Sequence, residues 1–188
     1  MIGNKVKKAL AVLVCFCALA GAAAWAEEGY SQNIAKVVRQ FMTDFMTDGA
    51  KAFTFDKKEG VLRATLNAGG DLRMLGCLII VGNGCFRSYI VSPIGADPKD
   101  PEKLAAMAEF ICRVNYGMKY GNFELDFNDG EIRYKCFVDC EGITNPSKEL
   151  VGNSVVTGLE MVKRYFPGIK DVLFNGMTPQ KAIENCEK

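Results

Sequence analysis

Between Lys51 and Pro93 the apolar residues alternate with a period of two, and turn-forming clusters cut the stretch into runs too short for helices. Phe53 and Phe55 form the first run, followed by residues 61–66, 72–81 and 86–91. Lys57-Lys58-Glu59-Gly60, Ala68-Gly69-Gly70-Asp71 and Asn83-Gly84 stand between them as turns. This block predicts an antiparallel meander. A two-residue turn at Asn83-Gly84 pairs Gly82 with Cys85 and sets Cys77 opposite Ile90. Gly82-Asn83-Gly84 carries a fragment of a glycine-rich phosphate loop, but Phe86 and a further strand follow it where such a loop needs a helix start.

Helical periodicity flanks the block. Ser31 is placed to cap a helix whose apolar stripe is Ile34, Val38, Phe41 and Phe45, with Gly49 as its stop. We read its Phe and Met stripe as a core face. Pro98 and Pro101 introduce a second helix with Leu104, Met107, Ile111, Val114 and Met118 on one side. A second hairpin rises over residues 122–127, turns at Asn128-Asp129-Gly130 and returns over 131–139, where Ile132, Tyr134, Cys136 and Val138 share a face. Asn145 or Ser147 caps a further helix through Val151, Val155, Leu159, Val162 and Phe166, which Pro167-Gly168 is expected to interrupt. Thr178-Pro179 then starts a terminal helix through Ala182, Ile183 and Cys186. Strands grouped with neighbouring helices, without strict alternation, predict an α+β fold in which helices cover an antiparallel sheet.

Residues 1–26 read as a secretory leader. Lys5, Lys7 and Lys8 precede an apolar run over residues 9–20, and Ala24-Trp25-Ala26 precede Glu27-Glu28, so cleavage is expected between Ala26 and Glu27. An uncleaved anchor is the competing reading, but strong hydrophobes stop at Leu19. Lipid attachment at Cys15 or Cys17 is disfavoured by the bulky Val14 and Phe16 before them. Removing the leader from 188 residues leaves 162, enough for one domain over 27–188, and leaves 20 basic against 22 acidic residues. That balance attracts no nucleic acid. The expected location is secreted or periplasmic, with no membrane association after cleavage.

Six cysteines remain: Cys77, Cys85, Cys112, Cys136, Cys140 and Cys186. An even number in an exported chain predicts disulfides, with the pairing open among 15 arrangements. Sequence neighbours are excluded as partners. Cys136 and Cys140 lie ~13 Å apart along one strand face, whereas a bridge needs Cα atoms within ~7 Å. Buried thiols acting as small hydrophobes are the alternative. The C-x-x-x-C spacing of Cys136 and Cys140 matches neither a redox motif nor half of a zinc ribbon. The chain has no histidine, which excludes Ser-His and Cys-His nucleophile systems, His-bound zinc and His-ligated haem.

Residues 110–134, from Phe110-Ile111-Cys112-Arg113-Val114-Asn115-Tyr116-Gly117 to Asn122-Phe123-Glu124-Leu125-Asp126-Phe127-Asn128-Asp129-Gly130, resemble the signature of the YbjN family. Tyr165-Phe166-Pro167-Gly168-Ile169 and Thr178-Pro179-Gln180-Lys181-Ala182-Ile183 resemble that family's closing helices. The resemblance runs from about Ala108 to the end. It implies the fold of type III secretion chaperones and a role as a sensory transduction regulator, with protein or peptide partners and a homodimer as one expected state. The chain departs from the family's usual cytoplasmic members in its leader and its cysteines.

The densest polar group is Glu124, Asp126, Asp129 and Glu131 around the second hairpin. Paired carboxylates there suit acid and base work or a cation, but a calcium loop needs an oxygen ligand where Gly130 stands and Gly where Glu131 stands. A solvated sheet face with a tight turn explains them more simply. Asn115 is expected to bond a nearby strand end. The function expected is an exported, non-enzymatic binding or regulatory protein without a cofactor or metal, engaging its partner by a sheet edge or helix groove. The alternative is a small-molecule or metal binder, or a hydrolase, using the hairpin carboxylates.

Overall fold

The computed structural model describes residues 29–46 and 53–188. The leader, its Ala26–Glu27 boundary and Gly49 as a helix stop lie outside the described residues. Four helices and six strands follow the order α1 (Gln32–Phe45), β1 (Phe53–Asp56), β2 (Val61–Gly69), β3 (Arg73–Val81), β4 (Cys85–Val91), α2 (Pro101–Tyr116), β5 (Asn122–Leu125), β6 (Ile132–Asp139), α3 (Lys148–Phe174) and α4 (Pro179–Cys186). All neighbouring strands are antiparallel, in the order β1-β2-β3-β4-β6-β5. The fold is α+β, as expected from sequence.

The β3–β4 hairpin has the predicted register. Gly82 N–H donates to the Cys85 carbonyl at 2.9 Å, and Cys77 faces Ile90. Period-two alternation sends Leu62, Ala64, Leu75, Cys77, Ile79, Phe86, Ile90, Tyr134, Cys136 and Val138 to one face, where all are buried. The helices lie on that face. α3 packs over β4 and β6, α1 against α3 and β3, and α2 against β5, α3 and α4. No described helix lies on the other face. Its centre is a small cluster of Val61, Leu78 and Tyr89, with Ile80 packed beside them and the Arg133 guanidinium 4.5 Å above the Tyr89 ring. Long cationic side chains shield that apolar surface where a helix would otherwise be needed.

Local signals explain most boundaries. Ser31, Asp100, Ser147 and Thr178 each accept a hydrogen bond from the backbone N–H three residues on, capping α1, α2, α3 and α4. Pro101 and Pro179 begin their helices, where a missing N–H costs nothing. The core stripe of α1 is Ile34, Ala35, Val38 and Met42, while Phe41 packs on α3 and Phe45 remains exposed.

One expected break is absent. Residues 148–174 form a single helix through Pro167. Proline inside a helix costs ~3 kcal/mol through its lost donor and ring clash. Burial on both sides offsets this: Val162, Tyr165 and Phe166 precede the proline, and Ile169, Val172 and Leu173 follow it, all buried. At Gly168 the helix approaches α2 and α4 so closely that an added Cβ would lie 2.7 Å from the Phe110 ring and 2.9 Å from Cys186 Sγ.

No disulfide joins any two of the six described cysteines, which corrects the expectation of bridges. The strand geometry supplies the reason. Cys77 on β3 and Cys136 on β6 share the core face but are separated by β4, hence by two inter-strand spacings of ~4.8 Å. Cys85 stands opposite Asp139 and points away from the core, whereas Cys140, whose N–H donates to the Gly84 carbonyl, turns back into it. Cys112 is exposed on α2 and Cys186 lies at the end of α4.

Candidate functional site

The four hairpin carboxylates do come together, but as parts of a scaffold. Asp126 Oδ1 accepts from the Asn128 backbone N–H and from Asn128 Nδ2, both at 2.8 Å, and Asp129 Oδ1 accepts from the Glu131 N–H at 2.9 Å. These bonds build the turn, which closes where Gly130 N–H donates to the Asp126 carbonyl. Glu124 on β5 accepts from Arg133 Nε at 2.8 Å and from Lys135 Nζ, both on β6. Arg133 NH1 also reaches Glu131 at 3.3 Å. Burial raises the Glu124 carboxyl, but the two cationic donors outweigh it and hold the group below its ordinary value. Burial raises Glu131, and its neighbour Asp129 adds to the effect against the opposing pull of Arg133. The hollow beside them holds about 460 Å³. Its two glutamates already share one guanidinium.

Asn115 has the expected structural role. Its Nδ2 donates to the Phe123 carbonyl at 2.9 Å while its Oδ1 accepts from the Phe123 N–H at 2.8 Å. Phe123 lies opposite Tyr134 on β6. Because both of its backbone groups bond Asn115, they point outward, along the free edge of the sheet. α2 therefore seals the middle of the β5 edge.

The β1 edge is built differently. Tyr30 donates from its hydroxyl to the Lys57 carbonyl at 2.8 Å, its ring meets Phe55 edge-on, and Ser31 N–H donates to the Gly82 carbonyl at 2.9 Å. Gly60 makes room for this: its φ is +67°, and an added Cβ would sit 2.6 Å from the Tyr30 ring. These contacts pin the start of α1 to two strand turns and lay the helix beside β1. The result is a groove of about 580 Å³, with Lys36, Arg39, Gln40 and Thr43 from α1 on one wall and Phe53, Phe55 and Lys57 on the other. Residues 36, 39, 40 and 43 follow helical spacing, so they form one stripe. The Arg39 guanidinium lies 5.4 Å from the Phe55 ring centre.

No carboxylate lines that groove among the described residues. The nearest acid on α1, Asp44, pairs with Lys148 at 2.6 Å. Asp56 points to the opposite sheet face and accepts from the Lys58 and Glu59 backbone N–H groups, which hold its carboxyl below the ordinary value. Sequence reasoning missed this groove, because Lys57 is 21 residues from Lys36. The available signal was the polar stripe on α1 opposite Ile34 and Val38.

A third hollow, of about 610 Å³, lies at the far end of β4 and β6, with Cys85, Phe137, Asp139, Cys140 and Ile143 among its walls. Burial raises the Cys140 thiol, which leaves it protonated and weakly nucleophilic. Among the described residues no group of three Cys, Asp or Glu side chains could hold a metal ion, and no helix is long and apolar enough to cross a membrane. No protein-family model matches the chain, and no curated protein matches it.

Proposed function

We propose that this chain is an exported, non-enzymatic binding or regulatory protein of YbjN-like fold, and that it holds an extended segment of another protein along β1, beside α1. The inequality of the two sheet edges carries this reading. Asn115 occupies the outward backbone groups of Phe123 on β5, while β1 has no strand beyond it among the described residues and borders a groove with an aromatic wall. A protein that blocks one edge and leaves a groove at the other is suited to adding a strand in one place. Export rests on the leader alone, since no disulfide joins the described cysteines.

The reading as a small-molecule or metal binder or hydrolase has one observation in its favour, the opposite displacement of Glu124 and Glu131. It has less support because Arg133 bonds both carboxylates. A photoreactive amino acid in place of Thr54, exposed on β1, is expected to capture one discrete protein segment in the producing cell. A second copy of this chain caught there would make the homodimer the occupant. The same group in place of Tyr116, 96% exposed near the sealed edge, is expected to capture none. Specific capture at Tyr116 with none at Thr54 would overturn the reading.

A further inference from the structure

We infer that the groove between α1 and β1 selects an acidic peptide, bound extended with its carboxylates toward Lys36, Arg39 and Lys57. The inference rests on the proposed docking edge and adds the chemistry of the occupant.

Three observations lead to it. The groove presents three cations and no carboxylate from the described residues. Lys36, Arg39 and Lys57 are all exposed, and none makes an ion pair with a described residue. A mature chain with 20 basic against 22 acidic residues has thus gathered positive charge, unpaired among the described residues, at one place, and like charges held together favour an anionic occupant.

The charge is also uneven along the groove. Tyr30 fastens the start of α1 to Lys57, so Lys36 and Lys57 share one end and Arg39 lies over Phe55 in the middle. Gln40 and Thr43 carry the stripe on toward Phe53. Lys36 to Thr43 spans ~10.5 Å of helix, while same-face side chains of an added strand recur every ~6.6 Å. Two alternate acidic side chains of a strand, ~6.6 Å apart, therefore reach from Lys36 and Lys57 to Arg39 and Gln40. The Phe53 and Phe55 rings give the aliphatic parts of those side chains a wall. A nucleic acid would match the charge but would not use the strand edge, and a second copy would bring the same three cations against themselves.

The test uses fluorescence anisotropy of the purified protein with a labelled ten-residue peptide in which Glu alternates with Thr and Val. A Lys-for-Glu peptide and a single-stranded oligothymidylate of equal charge serve as comparisons. Only the Glu peptide is expected to bind, with affinity falling as salt is raised from about 50 to about 300 mM. Exposed ion pairs are each worth a few-fold, so Lys36→Glu with Lys57→Glu is expected to weaken binding by about tenfold or more. Lys36→Gln with Lys57→Gln gives a smaller loss of the same sign, and serves if charge reversal perturbs the melting curve.

Equal binding of the Lys peptide or of the oligonucleotide, or an affinity unchanged in both double variants, would overturn the inference. If Thr54 still captures a segment that lacks acidic residues, the acidic occupant fails while the docking edge stands. If neither peptide binds and Thr54 captures nothing, both fail.

Discussion

Asn115 commits both halves of its side-chain amide to one residue, so Phe123 has its N–H and C=O satisfied at an edge where no described strand follows. Replacing Asn115 with Leu would leave both groups outward and unpaired. We expect a loss of about 1–3 kcal/mol in urea unfolding, and concentration-dependent self-association in sedimentation as the β5 edge becomes available. The thiols offer a second residue-scale prediction. Burial alone raises the Cys77 thiol to about 12, and Cys136 rises to about 11, chiefly through burial. Thiolate is the reactive species. Alkylation of the native protein followed by mass spectrometry should therefore modify exposed Cys112 first, and reach Cys77 and Cys136 only after unfolding. Asn115 was legible in sequence because a polar residue within an apolar helix stripe needs a partner. The thiols were not, because cysteine number speaks of compartment while pairing depends on which sheet face each strand presents.

α3 shows where an element-level rule yields to packing. Pro167 should end the helix by local chemistry, yet buried residues on both sides hold 27 residues in one element. Pro167→Ala restores a backbone donor without removing core volume. It should raise stability by about 1 kcal/mol or more, with ~3 kcal/mol as the ceiling, read as a higher thermal midpoint. A lowered midpoint would refute this, since Pro167 is exposed and packs no core. The other boundaries were readable from a few residues each, because caps and turns are local: Ser31, Ser147 and Thr178 bond N–H groups three residues away. The second hairpin was legible for the same reason, with Asn128, Asp129 and Gly130 between alternating runs.

For the whole molecule, stability against pH follows from one guanidinium between two glutamates. Glu124 is held below its ordinary value, so its contribution is present above about 4.5 and lost as pH falls through the lower native value. Glu131 is raised, so its native environment favours the protonated form; that contribution is present below about 4.5 and lost as pH rises through the higher native value. At neutral pH, Glu124→Gln should therefore cost about 1–3 kcal/mol by losing its charged acceptors. Glu131→Gln should be neutral or stabilising, and the two variants should converge as pH falls through the lowered native value of Glu124 and both carboxyls become protonated. Urea midpoints across that range give the comparison; equal losses at neutral pH would refute it. The sequence by itself determined the strand and helix periods, the register of the hairpin at Asn83-Gly84, the caps at Ser31 and Thr178 and the α+β class, because each follows from neighbours within a few residues. The tertiary structure alone decided that β4 joins β6, that α3 continues through Pro167, that the cysteines stay apart, and that Lys36, Arg39 and Lys57 meet in one groove. Those outcomes depend on which surfaces are buried against each other, and periodicity names the face of an element without naming what covers it.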